Sequence, residues 1–334
     1  MSLFDINKTI SQAGDSIKQL SVLNPLTIRK KGGKAKAIFA LAMVCFFWGT
    51  TWVASRQGVL HMPALQLAGT RQLFGGLCYV IFFTARGEKW PNRRQWQTII
   101  VLGILNFLLS NGLTTWGVKY ISAGLGSIIG ATFPLWIVLI NLFSTSTKTQ
   151  WKAIVGFVIG FFGICVIFSE HLRDFLNRDF LFGIILAFTG TTAWAFGTLY
   201  TKKKAESFNP YFSLGLQMVV SGSSLLVIAG STGATIPLTA IPWQSWASIS
   251  YLVIFGSVIS FIAYLYALQN LTTEQTSVYA YINPIVAVII GWLVFGEKLT
   301  IYIGIGGLVT LVGVYLINQA YKTPSPALPE SEGI

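Results

Sequence analysis

The chain has 334 residues, 53% of them apolar and only 10% charged, with a net charge of +12. A soluble domain carries about a quarter charged residues, so a deficit spread over the whole length places the protein in the membrane class. The basic excess argues for a membrane orientation signal rather than nucleic acid binding, because Lys and Arg cluster between apolar runs.

Residues 1–33 differ from the rest. Leu3, Ile6, Ile10, Ala13, Ile17 and Leu20 recur at helical spacing, with Asp5, Lys8, Asp15 and Lys18 off that face. The segment reads either as an amphipathic helix lying on a surface or as a loosely ordered cytoplasmic tail. From Lys34 onward, apolar runs recur near 36–55, 64–84, 97–117, 122–144, 152–169, 180–200, 210–230, 245–268, 274–295 and 300–320. Each can cross about 30 Å of hydrocarbon at about 1.5 Å per residue. Only the loop 170–179 mixes several charges of both signs, and it separates five spans in 34–169 from five in 180–321. The tail, 322–334, is proline-rich and polar and is expected to be disordered and cytoplasmic.

Charge placement orients these spans. With the N-terminus inside, 17 of the 23 Lys and Arg residues fall in inside segments, five fall outside, and Arg71 lies within a helix. This bias puts both termini in the cytoplasm. An odd number of spans per half then makes the second half enter from the opposite side. The expected fold is therefore all-α and integral to the membrane, with ten transmembrane helices in two inverted five-helix repeats. Inverted repeats with proline-bearing helices at matching positions are the architecture of secondary transporters.

A shift of 150 residues supports the duplication without a gap. Ser110 falls on Ser260, Ser127 on Ser277, Pro134 on Pro284, Gly156 on Gly306 and Gly163 on Gly313. Proline strips the carbonyl four residues back of its helical donor. Pro134 and Pro284 thereby free the carbonyls of Gly130 and Ala280, which makes these four positions candidates for a hinge or gate. In hydrocarbon a freed carbonyl survives only against protein, water or a ligand, so both helices should face an interior. Gly126-xxx-Gly130 and Gly156-xxx-Gly160 suit close helix contact.

The paired stretches ISAGLGSIIGATFPLWIVLI and TSVYAYINPIVAVIIGWLVFGEKL resemble the duplicated unit of the drug/metabolite transporter superfamily, specifically its EamA-type ten-helix branch. FFWGTTWVASR in the first span, Pro63 followed by Arg71, and the closing GEKLT extend the likeness over roughly 36–321. The first-half counterpart of GEK ends Ser146-Thr147-Lys148 and lacks the glutamate. The resemblance implies a small-metabolite carrier, usually an exporter, with a central cavity between the halves.

Polar and aromatic stripes supply cavity candidates. Trp48 and Trp52 lie one turn apart, with Thr51 beside them, and Trp194 and Thr198 share a face of the sixth span with Thr191. Asn106, Ser110 and Thr114 share a face of the third, with Asn111, Thr115 and Trp116 alongside. In the eighth, Ser257, Ser260 and Tyr264 do the same, and Gln275, Tyr279 and Asn283 run into Pro284 of the ninth. Ser and Thr often serve packing alone, whereas Asn, Gln and Tyr are costly to leave against lipid. Deep aromatics beside hydroxyls suit an amphipathic solute. Arg71 is the one charge well inside a run, either a structural anchor or a substrate contact.

What is missing narrows the chemistry. All eleven Asp and Glu lie in loops, tails or helix ends, and His61 and His171 lie in loops. That disfavours a proton relay and favours downhill transport or exchange. Cys45, Cys78 and Cys165 sit inside apolar runs with no pairing or metal-ligand spacing. GLGSIIG follows no strand, so a dinucleotide site fails, and no catalytic triad, zinc or phosphate-loop pattern occurs. The reading is a cofactor-free carrier, not an enzyme, in a bacterial inner membrane. It moves a neutral or zwitterionic metabolite, such as an amino acid or related amphipathic compound, by alternating access, with export the direction that the family resemblance implies. A non-transporting scaffold or sensor is the competing class.

Overall fold

The computed structural model describes residues 34–142, 150–203, 208–271 and 278–320. The expected segment 1–33, the tail 322–334, Glu274 and Gln275 lie outside the described residues. Among the described residues the chain is helical, with no strand. In chain order the helices are α1 (Lys34–Val59), α2 (Ala64–Ala85), α3 (Arg93–Gly117), α4 (Ala123–Ala131 and Phe133–Leu142) and α5 (Trp151–Glu170). There follow α6 (Arg178–Lys203), α7 (Pro210–Ser231), α8 (Trp243–Tyr251, Leu252–Ile259 and Ser260–Asn270), α9 (Tyr279–Phe295) and α10 (Ile301–Ala320).

Local chemistry sets several boundaries. Asn92 and Gln95 form a reciprocal capping box at the start of α3, each side chain taking the other's backbone N–H at 2.9 and 2.8 Å. Asn209 caps α7, whose first residue is Pro210, where a missing N–H is harmless. At the end of α9, Gly296 adopts φ 64, the left-handed turn that lets the chain leave the helix.

Among the described residues eight helical stretches are long and apolar enough to cross a bilayer, against the ten expected. The two outside that set are α2 and α9. Buried Gln66, Arg71 and Gln72 make α2 more polar, and α9 spans only 17 described residues. The outward faces are strongly apolar. Val158, Phe161 and Phe162 on α5 and Ile305, Leu308 and Val312 on α10 are all exposed. Such a surface would be an aggregation site in water but suits hydrocarbon. The protein is an integral membrane protein.

Two glycine seams hold the bundle together. A Cβ on Gly163 of α5 would stand 2.5 Å from the backbone N of Thr310 and 2.7 Å from Gly306 O on α10, and one on Gly313 would meet Gly156 O at 2.5 Å. Between α2 and α7, a Cβ on Gly76 would stand 2.7 Å from Gly215 O, and one on Gly222 would stand 2.9 Å from Gly69 O. No side chain fits between backbones this close, so dispersion and weak backbone contacts replace side-chain packing. In each seam the partner number falls as the first rises, so both pairs run antiparallel.

Helix α1 sits centrally, packed on α8, α9 and α4, while α3 packs on α6 and α7. Both α3 and α8 widen to a π-helical stretch, at Gly103–Asn111 and Leu252–Ile259. These stretches nearly coincide under the 150-residue shift. The hydroxyl of Tyr79 donates to Ser257 O and Val258 O, each at 3.0 Å, satisfying carbonyls in the widened turn of α8.

The proline helices differ from each other. Helix α4 breaks at Thr132, two residues before Pro134, whereas Pro284 lies inside the unbroken α9. The expected span over 122–144 stands as one apolar stretch, Ala123–Ile140, interrupted at Thr132 into two helical pieces. The break falls where Pro134 removes the donor that Gly130 would have used.

Candidate functional site

A cavity of about 180 Å³ opens between α1, α3, α4, α6 and α9. From α1, Trp48, Thr51, Trp52 and Ser55 line it at i, i+3, i+4 and i+7, one face of a helix. The indole N–H of Trp48 donates to Gly256 O at 3.2 Å, and its ring packs against Phe261, Tyr264 and Tyr279 with centroids 5.1 to 5.2 Å apart. Trp52 lies across α4, where a Cβ on Gly130 would come within 2.7 Å of its ring. Glycine there is what lets the indole reach the wall.

The opposite wall comes from α3 and α6. Ser110, Asn111, Thr114 and Thr115 line it from α3, and Thr191 and Trp194 from α6. Many of the wall hydroxyls already donate along their own helices. Thr51 donates to Trp48 O at 2.6 Å, Thr114 to Ser110 O at 2.8 Å, Ser127 to Gly124 O at 2.7 Å and Thr191 to Ala187 O at 2.8 Å. A hydroxyl whose hydrogen is committed still has lone pairs to offer. The wall is thus acceptor-rich.

Helix α9 contributes Tyr279, Ala280, Asn283 and Pro284, and α4 contributes Gly130 and Phe133. With its amide nitrogen facing two carbonyls, Asn283 donates to Tyr279 O at 3.0 Å and Cys45 O at 2.9 Å. That ties α9 to α1 across the expected boundary between halves.

Among the described residues, Arg71 of α2 is the one charged residue lining the cavity. It is 6% exposed, and its Nη1 donates to Asn111 Oδ1 at 3.0 Å. Its Nε is buried without a partner. Among the described residues no Asp or Glu lines the cavity, and no group of three or more His, Cys, Asp or Glu could hold a metal.

Several expected lining residues stand elsewhere. Asn106 turns toward Gly197 of α6, with its Oδ1 buried and unpartnered. Trp116 packs edge-on against Phe182 and into an apolar core, and Thr198 donates to Trp194 O at 2.8 Å. Ser260 is fully buried and donates to Phe255 O at 2.5 Å, satisfying a carbonyl of the π-helical stretch. Tyr264 stands behind Trp48 and Tyr279 as a second layer. Pro134, a hinge or gate candidate, does not itself line the cavity, whereas its neighbour Phe133 does. Gln275 lies outside the described residues. Sequence reasoning passed over Ser55 and Ser127. The helical spacing from Trp48 and Thr51, and from Gly130 and Pro134, would have found both.

A clasp also went unread in the sequence. Glu297, just after α9, accepts the backbone N–H of Ala123 at 2.7 Å and of Gly124 at 3.1 Å, at the N-terminus of α4. Arg56, at the end of α1, lies 3.4 Å from the same carboxylate and donates to Val118 O and Ile121 O. The positive end of a helix and a guanidinium together hold one carboxylate.

A lipid-facing helical bundle around a polar hollow is the form of a membrane transporter, and the sequence assigns the class. The EamA-like transporter family matches residues 35–169 and again 181–319, and the chain belongs to that family. Among its relatives is the uncharacterized inner membrane transporter YedA of Escherichia coli K12, 32% identical over 79% of this chain and 83% of that one. The uncharacterized transporter YvbV of Bacillus subtilis is 26% identical over 88% and 95%. The chloroplastic WAT1-related protein At3g02690 of Arabidopsis thaliana is 26% identical over 82% and 67%. A solved crystal structure shares the fold, with a TM-score of 0.60 at 14% identity, covering 87% of this chain and 100% of the other.

Proposed function

We propose that the protein is a secondary transporter that moves a small neutral or zwitterionic metabolite, such as an amino acid or related amphipathic compound, across a bacterial inner membrane. It works by alternating access, as an exporter, by facilitated diffusion or exchange rather than proton coupling. The bundle is read as ten spans in two inverted repeats, 34–169 and 180–321, with both termini in the cytoplasm.

The observation that carries this reading is a hollow lined from both repeats and flanked by the two proline helices. The glycine seams support the inversion. Shifting the contact of Gly156 with Gly313 by 150 residues exchanges it for the contact of Gly306 with Gly163, so one seam maps onto itself. Because the paired helices are antiparallel, the pseudo-twofold axis runs perpendicular to them and lies in the membrane plane. The acceptor-rich wall and the stacked aromatics suit a solute with an apolar body and a few hydrogen-bonding groups. Among the described residues no carboxylate or histidine lines the wall, which favours downhill transport or exchange over proton coupling.

Counterflow in proteoliposomes tests the reading. A labelled solute from a panel of amino acids, nucleosides and amphipathic drugs should exchange saturably. Trp48→Ala, Asn283→Ala and Tyr279→Phe should each reduce flux more than Cys78→Ala, whose side chain is exposed on the outside of the bundle. No exchange across the panel would favour a scaffold or sensor, and equal effects of all four substitutions would remove the cavity from the transport path.

A further inference from the structure

Resting on the transporter reading, we propose that Arg71 is the receptor for a carboxylate of the transported solute, so that the natural cargo is a carboxylate-bearing zwitterion. A guanidinium cannot shed its charge at physiological pH, and a buried charge needs a counter-charge or a full set of acceptors. Arg71 has neither. It is 6% exposed, its one hydrogen bond to a side chain goes to the neutral amide of Asn111, and its Nε is buried with no partner. Among the described residues no Asp or Glu pairs with it.

The surroundings leave room for a planar anion. Gly256 stands opposite the other guanidinium nitrogen, and a Cβ there would lie 3.2 Å from Nη2 and 2.8 Å from Thr51 Cγ2. The absent side chain lets α8 pack close against one edge of the fork, and the guanidinium itself is among the residues lining the cavity. Asn111, itself a lining residue, accepts from Nη1 and fixes the fork's orientation. Two oxygens of a carboxylate match two N–H groups of such a fork.

The charge balance selects the anion. One carboxylate pairs with one guanidinium, whereas a doubly ionised phosphate calls for a second cation, and among the described residues no other cationic side chain lines the cavity. The other end of the solute meets the reverse chemistry. Thr51, Thr114, Ser127 and Thr191 have committed their hydrogens to backbone carbonyls and present lone pairs, which accept from an ammonium.

The test compares matched acids and amides on the purified full-length protein by ligand-induced thermal stabilisation, read as apparent affinity. The pairs are L-phenylalanine with L-phenylalaninamide, L-leucine with L-leucinamide, and 3-phenylpropanoate with 3-phenylpropanamide. At least one acid should bind about tenfold or more tightly than its amide, the scale of a charge-assisted hydrogen-bond pair. Arg71→Gln should abolish that gap, and Arg71→Lys should retain part of it. Parity of acid and amide in every pair, or a gap that survives Arg71→Gln, overturns the proposal. If Arg71→Gln does not fold, the wild-type acid-to-amide ratio decides by itself. Acid-selective binding without counterflow would sink the transporter reading while leaving the carboxylate site standing. Saturable counterflow of solutes lacking a carboxylate, unchanged in Arg71→Gln, would do the reverse.

Discussion

The clasp around Glu297 joins the ends of α1, α4 and α9, and its removal should change how the cavity opens. Glu297→Gln keeps the volume but loses the charge. Two backbone N–H donors at 2.7 and 3.1 Å and Arg56 at 3.4 Å surround a carboxylate whose side chain is 10% exposed. Charge-assisted bonds are roughly twice as strong as neutral ones, so each backbone bond should lose about 1 kcal/mol. The partly exposed pair with Arg56 adds somewhat less than about 1 kcal/mol. The total is about 2–3 kcal/mol. If only the closed state makes the clasp, the open state rises about 30- to 150-fold in population. In a variant free of Cys45, Cys78 and Cys165, a cysteine replacing Ser127 of the cavity wall reports that opening. In the proposed orientation the clasp end faces the periplasm, and labelling by a membrane-impermeant thiol reagent from that side should accelerate by the same factor in Glu297→Gln. An unchanged labelling rate with a lowered melting temperature would refute the reasoning and leave Glu297 as a helix cap.

Other substitutions probe the packing. Gly163→Val drives a side chain onto Thr310 N and Gly306 O and should destabilise the protein by about 1–3 kcal/mol, seen as a lower melting temperature. Gly304→Ala on the same helix pair, where a Cβ meets nothing, should be neutral or slightly stabilising. Equal effects would show that the seam is loose. Tyr79→Phe leaves two carbonyls of the π-helical stretch in α8 without their shared donor and should lower stability by about 1–2 kcal/mol. No change in the thermal melt would mean that the stretch satisfies those carbonyls on its own.

Much of the helical plan was legible in the sequence, because runs of spanning length bounded by basic loops are a strong signal. The rotation of each helix was less so. In water an apolar stripe points inward, but in a bilayer both lipid and core are apolar, so periodicity says little about which face looks in. Asn106, Ser110 and Thr114 share one face, yet two of them reach the cavity and Asn106 meets α6. Ser110 and Ser260 match in register but not in environment. One lines the hollow, and the other donates within α8. The clasp was beyond reach for a different reason. Glu297 finds Ala123 across 174 positions, and nothing near either residue in the chain announces the other.

The seams between α2 and α7 and between α5 and α10 each join an early helix to a late one. During synthesis the grooves on α2 and α5 therefore stay without their natural cover until the second half has been inserted. Each half carries surfaces cut to fit its sibling, so the two pieces made as separate polypeptides should find each other and rebuild the whole, while either piece made singly should be cleared by membrane proteases.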